Sequence, residues 1–483
     1  MLLTFANFKD VWFSTELWAF SYSIGLFCAI VAIYRTRTSQ GAVAWAVALI
    51  SFPIITVPLY LVFGRRSFRG YLRARQINDR SLESARSELL SAKTQLPFQL
   101  GPSVDHLKVF ETIAGTTFLK NNAVRLLING EQTFDAMTAA IEDAKHYVLF
   151  QFYILRDDKL GQKFKELLIK KVEQGVRVYV LYDAIGSNDL GRRYVKELVA
   201  AGVEIASFYS TKKWWPPQRF QVNFRNHRKI VIVDGTRVFL GGHNVGDEYL
   251  SQDPNVGFWR DTHMEIDGPS ALVAQVSFLE DWHWSTDKLP DLRWEAEARG
   301  VKVPVLILAT GPNLVPEGCS LFFIQAIGIA RQRLWIATPY FVPDEQVVSA
   351  LQLAVMRGVD VKIIITRKTD ALVCSLATYS LLEDVIPYGV KTYFYEKGFA
   401  HQKVMLVDDD LAAIGSANFD NRSFRLNFEI TGFVFDRDFA AEVANMLEED
   451  LANSVLVSME TLTSKPFWFR FACRVARLFA PIL

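Results

Sequence analysis

Cysteine is scarce in this chain. Four residues in 483, Cys28, Cys319, Cys374 and Cys473, form no close pair, which argues against a disulfide framework and for reduced thiols inside a cell. Histidine is sparse as well, at seven, and His243, His263 and His283 stand at no metal-ligand spacing such as H-E-x-x-H. Nor is there a surplus of one charge: 53 basic and 52 acidic residues leave a formal net charge of +1. No basic stripe interleaved with aromatics flanks a motif, so the electrostatic signature of a nucleic-acid binder is missing. The turn GGHN is too short for a dinucleotide loop. What the chain does have is apolar mass, 50% hydrophobic residues, high for a purely soluble protein.

Much of it sits at the start. Leu17 to Tyr34 carries no charge and neither does Gly41 to Phe63; 23 residues of helix span roughly 34 Å, enough for a hydrocarbon core of about 30 Å. Two spans joined by RTRTSQ (Arg35 to Gln40) predict a hairpin with both ends on one side. Pro53 and Pro58 leave a kinked or re-entrant second helix open. Arg65, Arg66, Arg69, Arg73 and Arg75 follow the second span, against Arg35 and Arg37 in the link, a bias that places the remainder of the chain on the cytoplasmic side. Met1 to Phe8 is uncharged, unlike the start of a cleaved signal peptide.

The strongest pattern is a repeat. HRKIVIVD runs from His227 to Asp234 and HQKVMLVD from His401 to Asp408, each followed by a small-residue turn ending in Asn, Asn244 and Asn418. His, Lys, Asp, Gly and Asn recur at a constant offset, 401 − 227 = 174. A phosphodiester repels nucleophiles, so a metal-free protein must bring it cations, hydrogen-bond donors, a nucleophile and a proton. Lys229 and Lys403 supply charge, and Asn244 and Asn418 supply amides. One imidazole can attack phosphorus while the other protonates the departing alcohol and then deprotonates the incoming one. One strand carries one imidazole and one ammonium, so the scheme needs both copies. Each copy also has a Glu beyond the Asn, Glu265 and Glu429, able to fix an imidazole tautomer, although the spacings from His differ (265 − 227 = 38; 429 − 401 = 28). Asp234 and Asp408 end their strands and read as anchors of the motif turn, and Ser416 sits in the second small-residue turn.

The doubled H-x-K-x-x-x-x-D with its trailing G-[GS]-x-N resembles the phospholipase D superfamily. With AVAWAVALISFPIITVPLYLVFGRR, VGFWRDTHMEIDGP, TPYFVPD and NFDNRSFRLNFE, the resemblance extends over nearly the whole chain to bacterial cardiolipin synthases. It implies a multi-pass inner-membrane enzyme with a cytoplasmic catalytic part, no cofactor or metal, and phosphatidylglycerol and anionic lipid as partners. Phosphatidylethanolamine stands as an alternative for one of the two lipids. The resemblance further implies that the carboxylate of one half steadies the histidine of the other, Glu429 on His227 and Glu265 on His401, and that His227 is the nucleophile. A hydrolase using water, a nucleic-acid phosphodiesterase and a non-enzymatic scaffold are the rival readings.

Alternating apolar runs and helical stretches repeat in the same order before and after the first motif's end, predicting an α/β fold of two pseudo-twofold halves with mixed or parallel sheets between helices. The expected organisation is a hairpin over 1–64, a basic juxtamembrane linker over 65–122, halves over 123–295 and 296–462, and an amphipathic tail over 463–483. In that tail Arg470, Arg474 and Arg477 recur at helical spacing beside Phe and Trp, which suits a helix in the headgroup layer or one docked on the protein. Trp214, Trp215, Pro216 and Pro217 read as a lipid-facing loop or as packing beneath the site.

Overall fold

The computed structural model describes residues 15–36, 39–64, 87, 106–208, 223–295, 301–312, 317–368 and 371–483. The basic run beyond the second span, most of the expected linker and the Trp214 to Pro217 segment lie outside these residues. The hairpin and the globular body are two separate compact units.

In the hairpin, helix α1 (Thr15–Arg35) packs against α2 (Ser39–Ser51) and α3 (Pro53–Phe63). Gly25 permits the crossing, because a Cβ there would meet the Leu49 carbonyl oxygen at 2.5 Å. Only α1 is, among the described residues, long and apolar enough to cross a membrane. The second apolar run, expected as one possible span, is broken at Phe52. Proline disfavours helical backbone in the residue before it and lacks an N–H, and Phe52 duly leaves the helical region at φ −137°, ψ 60°. Thr56 Oγ1 bridges the break, donating to Phe52 O at 2.7 Å and Ala48 O at 3.1 Å. Phe27, Ile33, Val43, Val47 and Ile55 point outward and exposed.

The body is built on one large sheet that runs through both halves, with two short two-stranded sheets beside it among the described residues. Its first half carries β1 (Leu119–Ile128), β2 (Tyr147–Phe152), β3 (Arg177–Tyr182), β4 (Glu204–Ser207), β5 (Ile230–Val233), β6 (Arg237–Gly241) and β7 (Thr262–Asp267). The second carries β8 (Val303–Thr310), β9 (Arg333–Thr338), β10 (Asp360–Thr366), β11 (Lys391–Tyr395), β12 (Val404–Val407), β13 (Leu411–Gly415), β14 (Asn427–Phe435) and β15 (Ser454–Leu456). The order is β15-β11-β10-β9-β12-β13-β14-β8-β1-β7-β6-β5-β2-β3-β4, a palindrome about the antiparallel β8–β1 junction except for β15. A bulge between Leu119 and Asn122 marks that junction.

The strands are where β-branched and aromatic residues run in series. β2 and β5 are buried at every position, as expected of strands covered on both faces. One core crosses the junction, where the Ala271–Thr286 and Arg437–Ala452 helices cover one face of both halves with Phe278, Trp282, Phe439 and Leu447. On the other face each half has its own core, and Phe110 of the Lys108–Ala114 helix packs in that of the second half, on Phe322 and Phe433. The end of the expected linker is therefore part of the body.

Asp234 and Asp408 are the hinges of the repeat. Both take left-handed backbone, at φ 53° and 52°. The Asp234 carboxylate accepts from the backbone N–H groups of Lys145, His146 and Tyr147, each at 2.8 Å. Asp408 accepts from Arg331, Gln332 and Arg333 at 3.1, 2.7 and 3.1 Å. Each thus ties the end of its motif strand to the start of the neighbouring strand, β2 or β9, away from the histidines.

Candidate active site

The two motif segments are delivered to one place by cross-half pairing. Arg225 and Asn226 pair with Asn427 and Phe428, and Phe399 and Ala400 pair with Trp259 and Arg260. Consequently His227 N donates to Phe428 O at 2.9 Å and His401 N donates to Arg260 O at 2.8 Å. The residue after each acceptor is a carboxylate: Glu429 and Asp261.

These carboxylates hold the imidazoles. His227 Nδ1 lies 3.0 Å from both carboxylate oxygens of Glu429, and His401 Nδ1 lies 2.7 Å from Asp261 Oδ2. Glu265 does not take the place expected for it. It pairs with Arg125 at 2.6 Å and Arg237 at 3.4 Å in the ladder. The register explains the correction: Gly241 pairs with His263 in β7 and Gly415 with Thr431 in β14, so the counterpart of Glu429, two residues earlier, is Asp261. The first half runs 261 − 244 = 17 residues from Asn to carboxylate and the second 429 − 418 = 11. That insertion hides the equivalence, and a shared Glu in the sequence misdirects.

The small residue of each turn is matched to its carboxylate. Ser416 Oγ donates to Glu429 Oε2. Its counterpart Gly242 has no side chain, and a Cβ there would meet Asp261 Oδ1 at 2.0 Å. Lys229 Nζ donates to His227 O at 2.8 Å, and Lys403 Nζ to His401 O. The residue between His and Lys joins a carboxylate of its own half to a group of the other, Arg228 reaching the Glu429 carbonyl and Gln402 accepting from Thr262 Oγ1 at 3.0 Å. Arg228 donates to Asp281 at 2.6 Å and through Nε to Glu429 O at 3.2 Å, while Gln402 donates to Asp450 at 2.8 Å, beside the Arg260–Asp450 pair at 2.7 Å. The asparagines are less direct than expected. Asn244 Oδ1 accepts from Ile154 N at 3.1 Å and its amide donates to the Tyr249 hydroxyl at 2.9 Å, which commits it to its own loop; Asn418 is buried, its N–H donating to Ser423 Oγ at 3.0 Å.

Electrostatics follow from burial. Desolvation, with the neighbouring Lys229 ammonium, pushes His227 down to about 4 against the opposing pull of Glu429. Desolvation and Lys403 do the same to His401, also to about 4. Burial also holds Lys229 well below the usual ammonium range, Lys403 adding to it. Burial works against ionisation of Asp261, yet the charges of His243, His401 and Lys403 outweigh it and keep its carboxyl below the ordinary range. Both imidazoles are therefore neutral near pH 7, with Nδ1–H directed at a carboxylate and Nε2 left as a base. Behind them His263 Nδ1 accepts the His243 N–H at 3.2 Å. Sequence reasoning missed Asp261, and also Tyr153, whose ring lies 5.0 Å from that of His227.

Fold and site together define a phospholipase D-like protein with its candidate catalytic groups divided between two halves. The family model described as cardiolipin synthase, PLD-like domain, matches residues 137–282 and 323–451, and that described as phospholipase D-nuclease N-terminal matches residues 24–65. Cardiolipin synthase A of Pseudomonas putida is 44% identical over 480 residues, covering 99% of this chain and 99% of its own. Cardiolipin synthase A of Pseudomonas aeruginosa is 46% identical over 463 residues, 95% of this chain and 94% of its own. The crystal structure of phosphatidylserine synthase from Haemophilus influenzae shares the fold, with a TM-score of 0.61 at 15% identity over 78% of this chain and 100% of that one. The chain belongs to the cardiolipin synthase family of phosphatidyltransferases.

Proposed function

We propose that this protein makes cardiolipin by moving a phosphatidyl group from one phosphatidylglycerol to the terminal hydroxyl of another, with release of glycerol. The observation that carries the reading is the crossed pair of carboxylate–imidazole contacts, His227 on Glu429 and His401 on Asp261. In the first step His227 Nε2 bonds to phosphorus as the bond to the glycerol oxygen breaks, and that oxygen takes a proton from His401. In the second, His401 takes the proton of the incoming hydroxyl as its oxygen bonds to phosphorus and the P–N bond breaks. The anionic phosphodiester favours the imidazolium that this cycle needs, while Lys229 and Lys403 balance the equatorial oxygens. Donor and acceptor alcohols are chemically alike, so the exchange is close to balanced and needs no nucleotide.

Lipid access supports the same reading. The hairpin exposes apolar side chains along α1 to α3, and the charge bias in its flanks favours a cytoplasmic body. In the tail, the Phe467–Arg477 helix is docked on the protein through buried Cys473 and Ala476, with Arg474 and Arg477 paired to Glu383 and Asp384, yet it leaves Phe467, Trp468 and Phe471 exposed. The docked alternative describes these contacts, and the exposed aromatic edge suits a headgroup layer. Purified protein in vesicles of phosphate-labelled phosphatidylglycerol, its products separated by thin-layer chromatography, tests the function. Cardiolipin should be the main product; phosphatidic acid in excess would instead support a hydrolase, and release of ethanolamine with added cardiolipin on supplying phosphatidylethanolamine would widen the donor class.

A further inference from the structure

Each carboxylate that holds a histidine has a further donor two residues earlier in the chain. The indole Nε1 of Trp259 donates to Asp261 Oδ2 at 3.3 Å, and the amide Nδ2 of Asn427 donates to Glu429 Oε1 at 3.1 Å. The two donors occupy equivalent places. Trp259 pairs with Phe399 and Asn427 with Arg225 in the cross-half segments that deliver the histidines, and residues two apart in extended chain share a face. The runs FWRD and LNFE therefore share a feature that residue identity conceals, an N–H donor two places before the carboxylate.

Reach and donor count agree with a shared role. Aspartate is one methylene shorter than glutamate and is met by the long indole, whereas the longer glutamate is met by the short amide. Each carboxylate accepts from its histidine, from the side chain two residues earlier and from one more donor, Thr262 N at 2.8 Å for Asp261 and Ser416 Oγ for Glu429. Such donors keep a buried carboxylate ionised, and their directions fix its rotamer. Asn427 is buried, and this is the one hydrogen bond of its side chain among the described residues, its Oδ1 having no partner there. A buried amide left half satisfied is costly, so an apolar side chain would be favoured if the donation served nothing. Trp259 adds its ring, 5.1 Å from that of His401, 4.7 Å from Phe399 and 4.6 Å from Tyr249. Tyr249 accepts from Asn244 at 2.9 Å, so the first-motif asparagine reaches His401 through this aromatic stack.

We propose that Trp259 and Asn427 are paired positioning residues, each holding by an N–H bond the carboxylate that orients the reacting histidine of the opposite half. The inference rests on the two-histidine reading above. With the indole in place, Asp261 Oδ2 keeps its approach to His401 Nδ1 while that ring gains and loses a proton. Asn427 does the same for Glu429 while His227 bonds to phosphorus. A carboxylate free to turn would release Nδ1, and Nε2 would lose its aim at the phosphodiester. Trp259 bears on His401 in two ways, through Asp261 and through ring packing, and the choice of substitution separates them.

The test uses full-length protein in phosphatidylglycerol vesicles, with turnover read as cardiolipin plus phosphatidic acid. Trp259→Phe keeps a ring against His401 and removes the N–H, and Asn427→Leu keeps the shape and removes the amide. Each should lower kcat about tenfold, the low end of what one bond to a charged group contributes, with KM little changed. A double-mutant cycle then separates positioning from packing. With Asp261→Ala already present, Trp259→Phe should change kcat by no more than about twofold, because the acceptor is gone; Asn427→Leu should behave likewise with Glu429→Ala. A residue that only fills space would lower kcat as much with the carboxylate absent as with it present. That result, or single variants that keep the kcat of the unaltered protein, would overturn the proposal. Because both products are counted, a protein that released phosphatidic acid alone would refute the synthase reading and leave the comparison of the two pairs intact.

Discussion

His401 Nδ1 is 2.7 Å from Asp261 Oδ2, and the two residues come from opposite halves of the duplicated sheet. Asp261 is fully buried; its carbonyl accepts the Asn129 N–H at 2.9 Å and its carboxylate accepts the Thr262 N–H at 2.8 Å. Asp261→Asn retains the shape but not the charge that favours the imidazolium. Turnover should fall by about a thousandfold or more, as for other carboxylates that orient a catalytic histidine. Glu265→Gln, in the ladder with Arg237 and the exposed Arg125, should stay within about twofold, since it touches neither histidine and an ion pair with a solvated guanidinium contributes little. Steady-state rates of the two variants in the same vesicles check this, and the reverse ranking would restore Glu265 to the site.

A second expectation concerns the mismatch between Gly242 and Ser416. Gly242→Ser places a Cβ where Asp261 Oδ1 now sits, and the carboxylate must move off His401. Activity should be lost together with about 1–3 kcal/mol of stability, the usual range for overpacking a buried position. Ser416→Gly removes the hydrogen bond to Glu429 and the side-chain acceptor of the Ile430 N–H, at 3.0 Å, without overpacking the carboxylate, and should leave a folded enzyme with reduced kcat. Thermal unfolding and kcat measured side by side separate the two.

Asp234 and Asp408 should behave as structural residues. Each carboxylate accepts three backbone N–H bonds from left-handed backbone, so Asp234→Ala should cost about 3 kcal/mol, read as a lowered denaturation midpoint. Asn tolerates left-handed backbone and keeps one oxygen acceptor, so Asp234→Asn should recover part of that loss. Catalytic participation would show as a fall in kcat without a change in the midpoint.

The pH profile follows from the buried imidazoles. A nucleophile must be unprotonated, and burial with Lys229 sets His227 at about 4. The acid limb of kcat/KM, which reports the free enzyme, should therefore lie near pH 4 and not near the 6.5 of an ordinary histidine. Lys229→Met removes a nearby cation, favours the protonated ring and should shift the limb to higher pH. A limb near 6.5 in the unaltered enzyme would contradict the buried site.

Much of this was legible from the amino acids. The offset of 174 marked both motifs, and the strands stood out because runs such as Tyr147 to Phe152, apolar but for Gln151, and Val404 to Val407, apolar throughout, are bounded by polar turns. Pro53 signalled a break in the second apolar helix. Asp261 was hidden because a six-residue difference in loop length moves it out of step with Glu429, and only hydrogen-bond register restores the match. The joining of the halves into one sheet through β1 and β8 was equally out of reach, since edge pairing between distant segments leaves no local periodicity.

The claim on which the rest depends is that one histidine bonds to phosphorus while its counterpart in the other half moves the proton. Alkaline quenching of the enzyme on phosphatidylglycerol with labelled phosphate, followed by peptide mapping, tests it most directly. His401→Ala should retain label on the peptide carrying His227 with cardiolipin formation abolished, and His227→Ala should carry none. Full turnover in either variant, or label that survives removal of both histidines, would contradict the account.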